Sequence, residues 1–345
     1  HSIFYKDKLY LRPKVLTSNL RIQSGDLYNE NKVQQTYSNF GRLSALKYTN
    51  IRFVETQVGD SAKLDCYVLL TKSKHNSIAF EVEGTNSAGD LGAAASVSFQ
   101  NRNLFRGSET FMVKLRGAYE VISGLQSGYS HNNYTEFGVE SSINFPHFLF
   151  PFLSADYKQK IRATTEFGLQ YNYQMRPEFL RTMASANWSY KWTKRQRIQH
   201  RIDLINIGFL YLPSISERFK EDYINKGQNQ VLQYNYQDRL IINMGYSFHY
   251  NSVGGAVVNN TIASNSYSIR FNLESAGNIM YALSKAADIR KNSNGEYAIL
   301  GIPYAQYVKT ELDFAQNIRI DRRNSLAFHL GLGVAVPYGN AKTIP

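Results

Sequence analysis

Two hydrophobic periods divide the chain. Up to about residue 75, apolar positions first recur at helical spacing and then in two alternating runs. From Ile78 onward they alternate with polar positions in run after run. Val33, Tyr37, Phe40 and Leu43 fall on one helical face. Asn29 precedes them as an N-cap, after Gly25 and Asp26, and Tyr28 and Val33 occupy the positions of a hydrophobic staple. A shorter helix fits Pro13 to Leu20. YTNIRFVET alternates Ile51 and Phe53 with Asn50 and Arg52, and AKLDCYVLL sets Leu64, Cys66, Val68 and Leu70 on one side. Residues 1–75 therefore read as a small α/β unit.

The stretch from Phe80 to Glu109 is where one pattern gives way to the other. Phe80 and Val82 alternate with Glu81 and Glu83, and TNSAGD supplies turn chemistry. Leu91, Ala93, Ala95, Val97 and Phe99 form the next alternating run, which NRNLFRG closes. Beyond it lie long runs over 136–145, 162–176, 180–192, 239–250 and 325–336. In 180–192, for example, Ala184, Ala186, Trp188, Tyr190 and Trp192 oppose Arg181, Ser185, Asn187, Ser189 and Lys191. About eleven strands are expected from Ile78 to the end. Runs of ten or more residues suit a bilayer crossing, which takes about 9–11 tilted residues, better than the roughly 5–6 of a soluble sheet. Charges on the opposite faces suit a wet lumen. Tyr171, Tyr173, Trp192, Tyr211 and Tyr250 stand near strand ends, as interfacial girdles do, although strand propensity alone accounts for any one of them.

Composition agrees with strands. Aromatic residues make up 14% of the 345, with 25 Tyr and 20 Phe. No run approaches the roughly 18 apolar residues of a transmembrane helix. The mean hydropathy of -0.38 does not exclude a membrane protein, because a barrel averages its two faces. The net charge of +12 raises nucleic-acid binding. The basic residues are spread along strand faces and turns with no finger or Walker pattern, which argues against it.

Site chemistry is sparse. The single cysteine, Cys66, sits in an apolar run and reads as a small buried residue. The seven histidines have no metal-ligand spacing. Glu81 and Glu83 share a strand face, but without a cleft partner they read as solvated charges. No catalytic, cofactor or metal site is expected, and the chain is not expected to be an enzyme.

GDLYNENKVQQTYSNFGRLSALKYTNIRFVE resembles the last POTRA domain of the outer-membrane assembly-factor superfamily, of BamA and TamA type. That fold has a further strand ahead of its first helix, for which His1 to Tyr10 is a poor candidate. Glu83-Gly84-Thr85-Asn86, Gly89-Asp90-Leu91-Gly92 and Arg102-Asn103-Leu104-Phe105-Arg106-Gly107 resemble the start of the superfamily's barrel, in appearance nearest the TamL branch of Bacteroidota. GLGVAVPYGNAKTIP resembles an eleventh strand entering the sixth surface loop.

The resemblance implies a mainly β fold. Residues 1–75 would be a POTRA domain incomplete at its N-terminus, and 76–345 strands one to eleven of a sixteen-strand transmembrane antiparallel barrel. The expected location is the outer membrane of a Gram-negative bacterium, with the first domain in the periplasm. The implied activity is insertion of outer-membrane β-barrels, with strand one as an opening edge that pairs client strands: Ile78, Ala79, Phe80, Glu81, Val82, Glu83, Gly84 and Thr85. That strand looks short, and Gly84 suits weak closure. Implied partners are nascent outer-membrane proteins, outer-membrane lipid and lipopolysaccharide, and TamB-like or Bam-type accessory subunits; no cofactor and no nucleic acid are implied. A secretion pore or channel of the same superfamily is the alternative, and a surface protein that binds through its long loops is a third. With strand one rising from the periplasm, NRNLFRG and TKRQR become periplasmic turns. Residues 211–237, with a short helix in SERFKEDYINK capped by Ser216, and Ala276 to Tyr297 become surface loops. FPHFLFPFLSADYKQ becomes a long, apolar periplasmic turn that fits a position on the membrane face.

Overall fold

The computed structural model describes residues 2–6, 8–58, 61–87, 90–123, 127–129, 131–225, 236–253, 265–292, 295–299, 301–321 and 323–341. The chain packs into two compact units. One is residues 1–79, 98–113 and 142–146, and the other is 80–97, 114–141 and 147–345.

The first unit begins with α1 (Pro13–Asn19), which has Pro at its first position, where a missing N–H costs nothing. Next comes α2 (Glu30–Gly41). Asn29 caps α2 as expected, its side chain accepting from Lys32 N at 3.3 Å. Tyr28, at the staple position, is exposed and lays its ring edge-on against Phe53, 5.2 Å between centroids. Strands β1 (Leu46–Val58) and β2 (Ser61–Lys72) make an antiparallel hairpin. Leu11, Phe40, Leu43 and Ala45 form a core, with Val68 and Leu70 of β2 packed against it. Toward the turn the hairpin runs clear of that core, so Leu64 is exposed and Cys66 only half-buried. Among the described residues no strand precedes α1, so the sheet has two strands and not the three of a complete POTRA fold.

The large sheet is an eleven-stranded meander. Its strands are β3 (Asn76–Ser87), β4 (Asp90–Asn101), β5 (Thr110–Val121), β6 (Asn133–Phe145), β7 (Thr164–Met175), β8 (Phe179–Lys194), β9 (Ile198–Ile215), β10 (Arg239–Asn251) and β11 (Asn265–Ala276). A small hairpin, β12 (Ala298–Ile299) and β13 (Ile302–Pro303), intervenes before β14 (Tyr307–Arg319) and β15 (Ser325–Pro337). The sheet order is β15-β14-β11-β10-β9-β8-β7-β6-β5-β4-β3, so each strand lies beside its predecessor in the sheet. β3 and β15 stand at its two ends and do not pair with each other.

Register keeps the two faces separate. Phe248 pairs Phe271, Phe271 pairs Leu312, and Leu312 pairs Leu332, an apolar row across four strands. The adjacent row runs Ser247, Asn272 and Glu311. In β9, plain alternation would put Ile202 and Ile205 on opposite faces. A register shift at Leu204 on the β8 side, matched by one on the β10 side, lets Ile202 and Ile205 share the apolar face with Tyr190 and Trp188. That extra residue is a β-bulge.

Connections cover parts of the apolar face. After β6, residues 147–150 cross β7 and β8, and α3 (Ala155–Ile161) follows, Ser154 Oγ accepting from Tyr157 N. After β9, Ser216 stands at the N-cap of α4 (Glu217–Phe219), but its side chain accepts no capping bond; the chain winds on as a π turn over Lys220–Asn225. After β11 comes α5 (Asn278–Ala286). Tyr304 then takes β11's place beside β10, Ala305 N donating to Leu240 O at 3.1 Å. Tyr304, Tyr297 and Leu240 form a core with Ile207 and Phe209. The Ala88–Gly89 part of the TNSAGD turn, residues 226–235 of the 211–237 loop and residues 342–345 lie outside the described residues. Among the described residues no helix is long and apolar enough to cross a membrane, which says nothing of strands.

Candidate strand-pairing edge

All eight residues from Ile78 to Thr85 lie in β3, the last strand at one end of the sheet. One side of β3 pairs with β4; among the described residues no strand pairs with the other side. The strand is not short. It spans Asn76–Ser87, 12 residues, because polar residues at both ends continue the ladder. Ser77 Oγ donates to Gln100 Oε1 at 3.4 Å, and Asn101 Nδ2 to Asn76 Oδ1 at 2.8 Å. Gly84 sits in open space, so packing does not require a glycine there.

The two faces of β3 differ sharply. Ile78, Phe80 and Val82 are 61%, 78% and 84% exposed. On the other face the side chains reach across β4 to β5. Glu81 accepts from Lys114 Nζ at 3.0 Å and from Ser96 Oγ at 2.9 Å. Glu83 accepts from Arg116 Nη1 at 3.2 Å, and Thr85 Oγ1 donates to Glu120 Oε1 at 2.9 Å. Glu81 and Glu83 are therefore paired charges rather than free solvated ones.

The reach is possible because β4 offers small residues beneath it: Gly92, Ala94 and Ser96. A Cβ at Gly92 would collide with the Glu120 side chain, Thr85 Oγ1 and the Tyr119 carbonyl. Lys114, Arg116, Glu120 and Gly92 carry no signal when each strand is taken alone. The signal is relational: small alternate positions in LGAAAS, with long charged ones at matching intervals in MVKLRGAYE. The two ion pairs are half-exposed and screened by solvent, so with the Thr85–Glu120 bond they act as registration more than as strength.

The NRNLFRG turn is built differently, around Glu109. This carboxylate is 1% exposed. Its Oε2 accepts from Phe105 N at 3.1 Å and Gly107 N at 2.8 Å, and its Oε1 lies 3.0 Å from Arg12 Nη2. Asn103 Nδ2 donates to Tyr10 O, and Arg106 Nη2 to Leu9 O, so the turn grips the segment before α1. Arg106 and Ser108 both hold positive φ, 61° and 66°.

Aromatic residues gather at both ends of the apolar face. At the end holding the β8–β9 turn, the Trp192 ring stacks on His200 at 4.7 Å, Phe248 lies 5.6 Å from His200, and Tyr250 pairs with Tyr267 at 5.5 Å. At the other end Phe209 stacks on Tyr211 at 6.2 Å. Trp192, Tyr211 and Tyr250 thus stand in aromatic clusters. Cys66 lies apart from all of this, in β2, and burial pushes its thiol pKa up, away from the reactive thiolate. Among the described residues no group of His, Cys, Asp or Glu side chains is arranged to hold a metal ion.

No protein-family model and no curated protein matches the chain. Solved structures do. The crystal structure of BamA from Haemophilus ducreyi lacking POTRA domains 1-3 aligns with a TM-score of 0.54 at 13% identity, covering 96% of this chain and 54% of that one. CdiB from Acinetobacter baumannii aligns with a TM-score of 0.30 at 10% identity, covering 95% of this chain and 72% of that one. The chain spans about half the length of the BamA structure, and at this identity the likeness is one of fold: a large antiparallel meander of the kind that forms the BamA barrel.

Proposed function

We propose that this chain is part of an outer-membrane β-barrel assembly factor that pairs client strands along β3. The observation that carries the reading is the way β3 is held: its polar face is tied across β4 to β5 by side-chain bridges, and among the described residues no strand pairs with its other edge. An open edge in lipid costs several kcal/mol per unsatisfied group. A client strand that adds to it gains main-chain bonds before its own barrel closes. The bridges over β4 keep β3 in register with its own sheet while the other edge is engaged.

The aromatic ends of the apolar face support a membrane setting. Thr182 pairs Tyr211, and Trp192 pairs His200. The ~10 residues of β8 between those pairs span about 33 Å along the strand, or about 25 Å at a tilt of ~40°, the height of an outer-membrane apolar band. In this reading the sheet is strands one to eleven of a transmembrane barrel, and the paired charges of the other face line a wet lumen. The unit holding α1, α2, β1 and β2 is a POTRA-like domain in the periplasm. Its α2–β1 segment carries the sequence resemblance. Clients would be nascent outer-membrane proteins, within a lipid and lipopolysaccharide membrane. The TamL-like sequence pattern points to a TamB-like accessory subunit, and a Bam-type set is the other choice.

The test uses the full-length protein in cells, with a photo-crosslinking residue placed singly at positions 80–86. Crosslinks to terminal strands of newly made barrel proteins, abolished when the client's last strand is scrambled, are expected. Crosslinks only to the protein's own final strand during active client synthesis would overturn the assembly reading in favour of a closed secretion pore.

A further inference from the structure

The segment between β6 and β7 carries chemistry that strand pairing does not use. Residues 147–150 cross the apolar face of the sheet. Thr165 Oγ1 donates to His147 O at 2.9 Å and accepts from Leu149 N at 2.9 Å, while Tyr190 Oη donates to Leu149 O at 3.0 Å. Thr165 and Tyr190 are cross-strand partners on that face, and both are buried beneath the segment. Phe148 packs edge-on against the Tyr190 ring at 4.6 Å, and Phe150 does so at 6.2 Å. These bonds satisfy His147 O, Leu149 N and Leu149 O, and Phe148, Leu149 and Phe150 stay half-buried. Phe152, whose ring meets Phe150 at 5.6 Å, is 87% exposed, and Tyr157 of α3 is half-exposed. Lys158 and Lys160 follow in the last turn of α3.

We propose that residues 147–160 are an interfacial membrane anchor, with Phe150, Phe152 and Tyr157 seated in the phospholipid leaflet and Lys158 and Lys160 at its phosphate headgroups. This rests on the membrane-barrel reading of the sheet. Two observations fix lipid as the occupant. The segment continues the apolar face at the same end as the Trp192–His200 cluster, so whatever solvates that face also meets Phe152. Lys158 and Lys160 follow the aromatics along the chain, in the last turn of α3, and supply the cations an anionic interface attracts. On the membrane-barrel reading, a protein partner would have to displace the lipid that solvates the neighbouring strands.

Tryptophan quenching separates this proposal from its premise. The chain has two tryptophans, Trp188 and Trp192. In one protein Trp192→Phe, with any tryptophan outside these 345 residues also replaced by Phe, leaves Trp188, on the apolar face of β8, as the only tryptophan; the second protein carries the same outside replacements. In a second, Phe152→Trp is placed in a Trp188→Phe, Trp192→Phe background. Both are reconstituted full-length in vesicles of phosphatidylcholine and phosphatidylglycerol carrying lipids brominated shallowly or deeply in the acyl chain. Quenching of Trp188 by deep bromines, and at least twofold quenching of the residue-152 probe by shallow ones, is expected. Quenching of Trp188 alone overturns the anchor and leaves the barrel standing; no quenching of either overturns both. Blue-shifted emission at 152 that bromine does not touch means that protein covers the segment, and it overturns the proposal as well. If loss of both tryptophans prevents folding, a nitroxide on Phe152→Cys in a chain with Cys66→Ala and any cysteine outside these 345 residues replaced, read by oxygen against nickel-chelate accessibility, gives the same decision.

Discussion

Arg12 Nη2 lies 3.0 Å from Glu109 Oε1 across 97 residues of sequence, and Glu109 is fully enclosed while Arg12 remains half-exposed. The asymmetry fixes what each substitution does. Glu109→Ala removes the acceptor of two backbone N–H groups in the β4–β5 turn as well as the partner of Arg12. Unmade bonds to buried groups cost about 1–3 kcal/mol each, so a loss of about 2–6 kcal/mol is expected in the first unit. Arg12→Ala leaves the two N–H donors in place but strips an enclosed carboxylate of its cation, so its cost should be comparable. Gly107→Ala should resemble Glu109→Ala, because a Cβ there would collide with the Glu109 carboxylate and the Arg12 guanidinium. Thermal unfolding of the purified variants ranks the three. Equal stability of Glu109→Ala and wild type would remove the turn from any structural role.

Gly92 and Gly84 offer a matched pair. Both lie in the first two strands of the sheet, but only Gly92 sits under the bridging side chains. Gly92→Val should force Thr85 and Glu120 apart at about 1–3 kcal/mol, the range for overpacking. Hydrogen exchange of β3 amides should then quicken roughly tenfold. Gly84→Val should leave exchange unchanged or slow it slightly, since the site is open and valine favours strands. Faster exchange in both variants, or in neither, would show that the bridges over β4 do not hold β3.

The eleven strands were legible because period-2 alternation is imposed by the pleat and survives wherever both faces are used. The runs at 239–250 and 325–336 match strands Arg239–Asn251 and Ser325–Pro337 to within one residue. β9 was not legible face by face, since the bulge at Leu204 reverses its parity and only its two neighbours reveal it. The candidate edge was legible as a position, at Ile78 to Thr85. Its length and ion pairs were not, because Glu81 meets Lys114 only once β4 is known to lie between them with small residues. Tyr28 shows the same limit in the first unit: local spacing pointed to Val33, and its ring contact with Phe53 of β1 was visible only in the fold.

Asp321 should be an acid-sensitive latch on the β14–β15 turn. Its carboxylate accepts from Asn324 Nδ2 at 2.7 Å, Arg323 N at 2.7 Å and Asn324 N at 2.8 Å. The Asn324 side-chain bond, then the two backbone bonds, hold its pKa below the ordinary aspartate value. A group whose folded pKa is depressed stabilises the fold fully above its unfolded pKa, about 3.9. That contribution falls away as pH drops through the lower, folded value. NMR titration of the Asp321 carboxyl carbon should therefore give a midpoint below that of a free aspartate. A midpoint at or above the free value would mean that the turn does not hold the carboxylate in solution.

Asn340 concentrates the bonding of the long connection between β11 and β14. Its Oδ1 accepts from Tyr297 N at 2.6 Å, and its Nδ2 donates to Tyr297 O at 2.8 Å and to Tyr304 O at 2.9 Å. Its own N–H donates to Gln306 Oε1 at 2.9 Å. All of this is buried, and Tyr304 in turn packs on Leu240 of β10. Asn340→Ala strands one donor and reduces two carbonyls, at about 1–3 kcal/mol for each group left without water. Asn340→Asp keeps the acceptor, loses both donated bonds and buries a charge, so it should be no milder. The consequence should appear locally, because the strands on either side keep their ladders. Lys291, whose ammonium lies over the Tyr297 ring at 5.0 Å, is next to Arg290 in the same connection. Trypsin should cut there at least tenfold faster in either variant, with the rest of the digestion pattern preserved. An unchanged rate would mean that the connection is held by the Tyr304–Leu240 packing alone, and Tyr304→Ala would then be the variant that releases it.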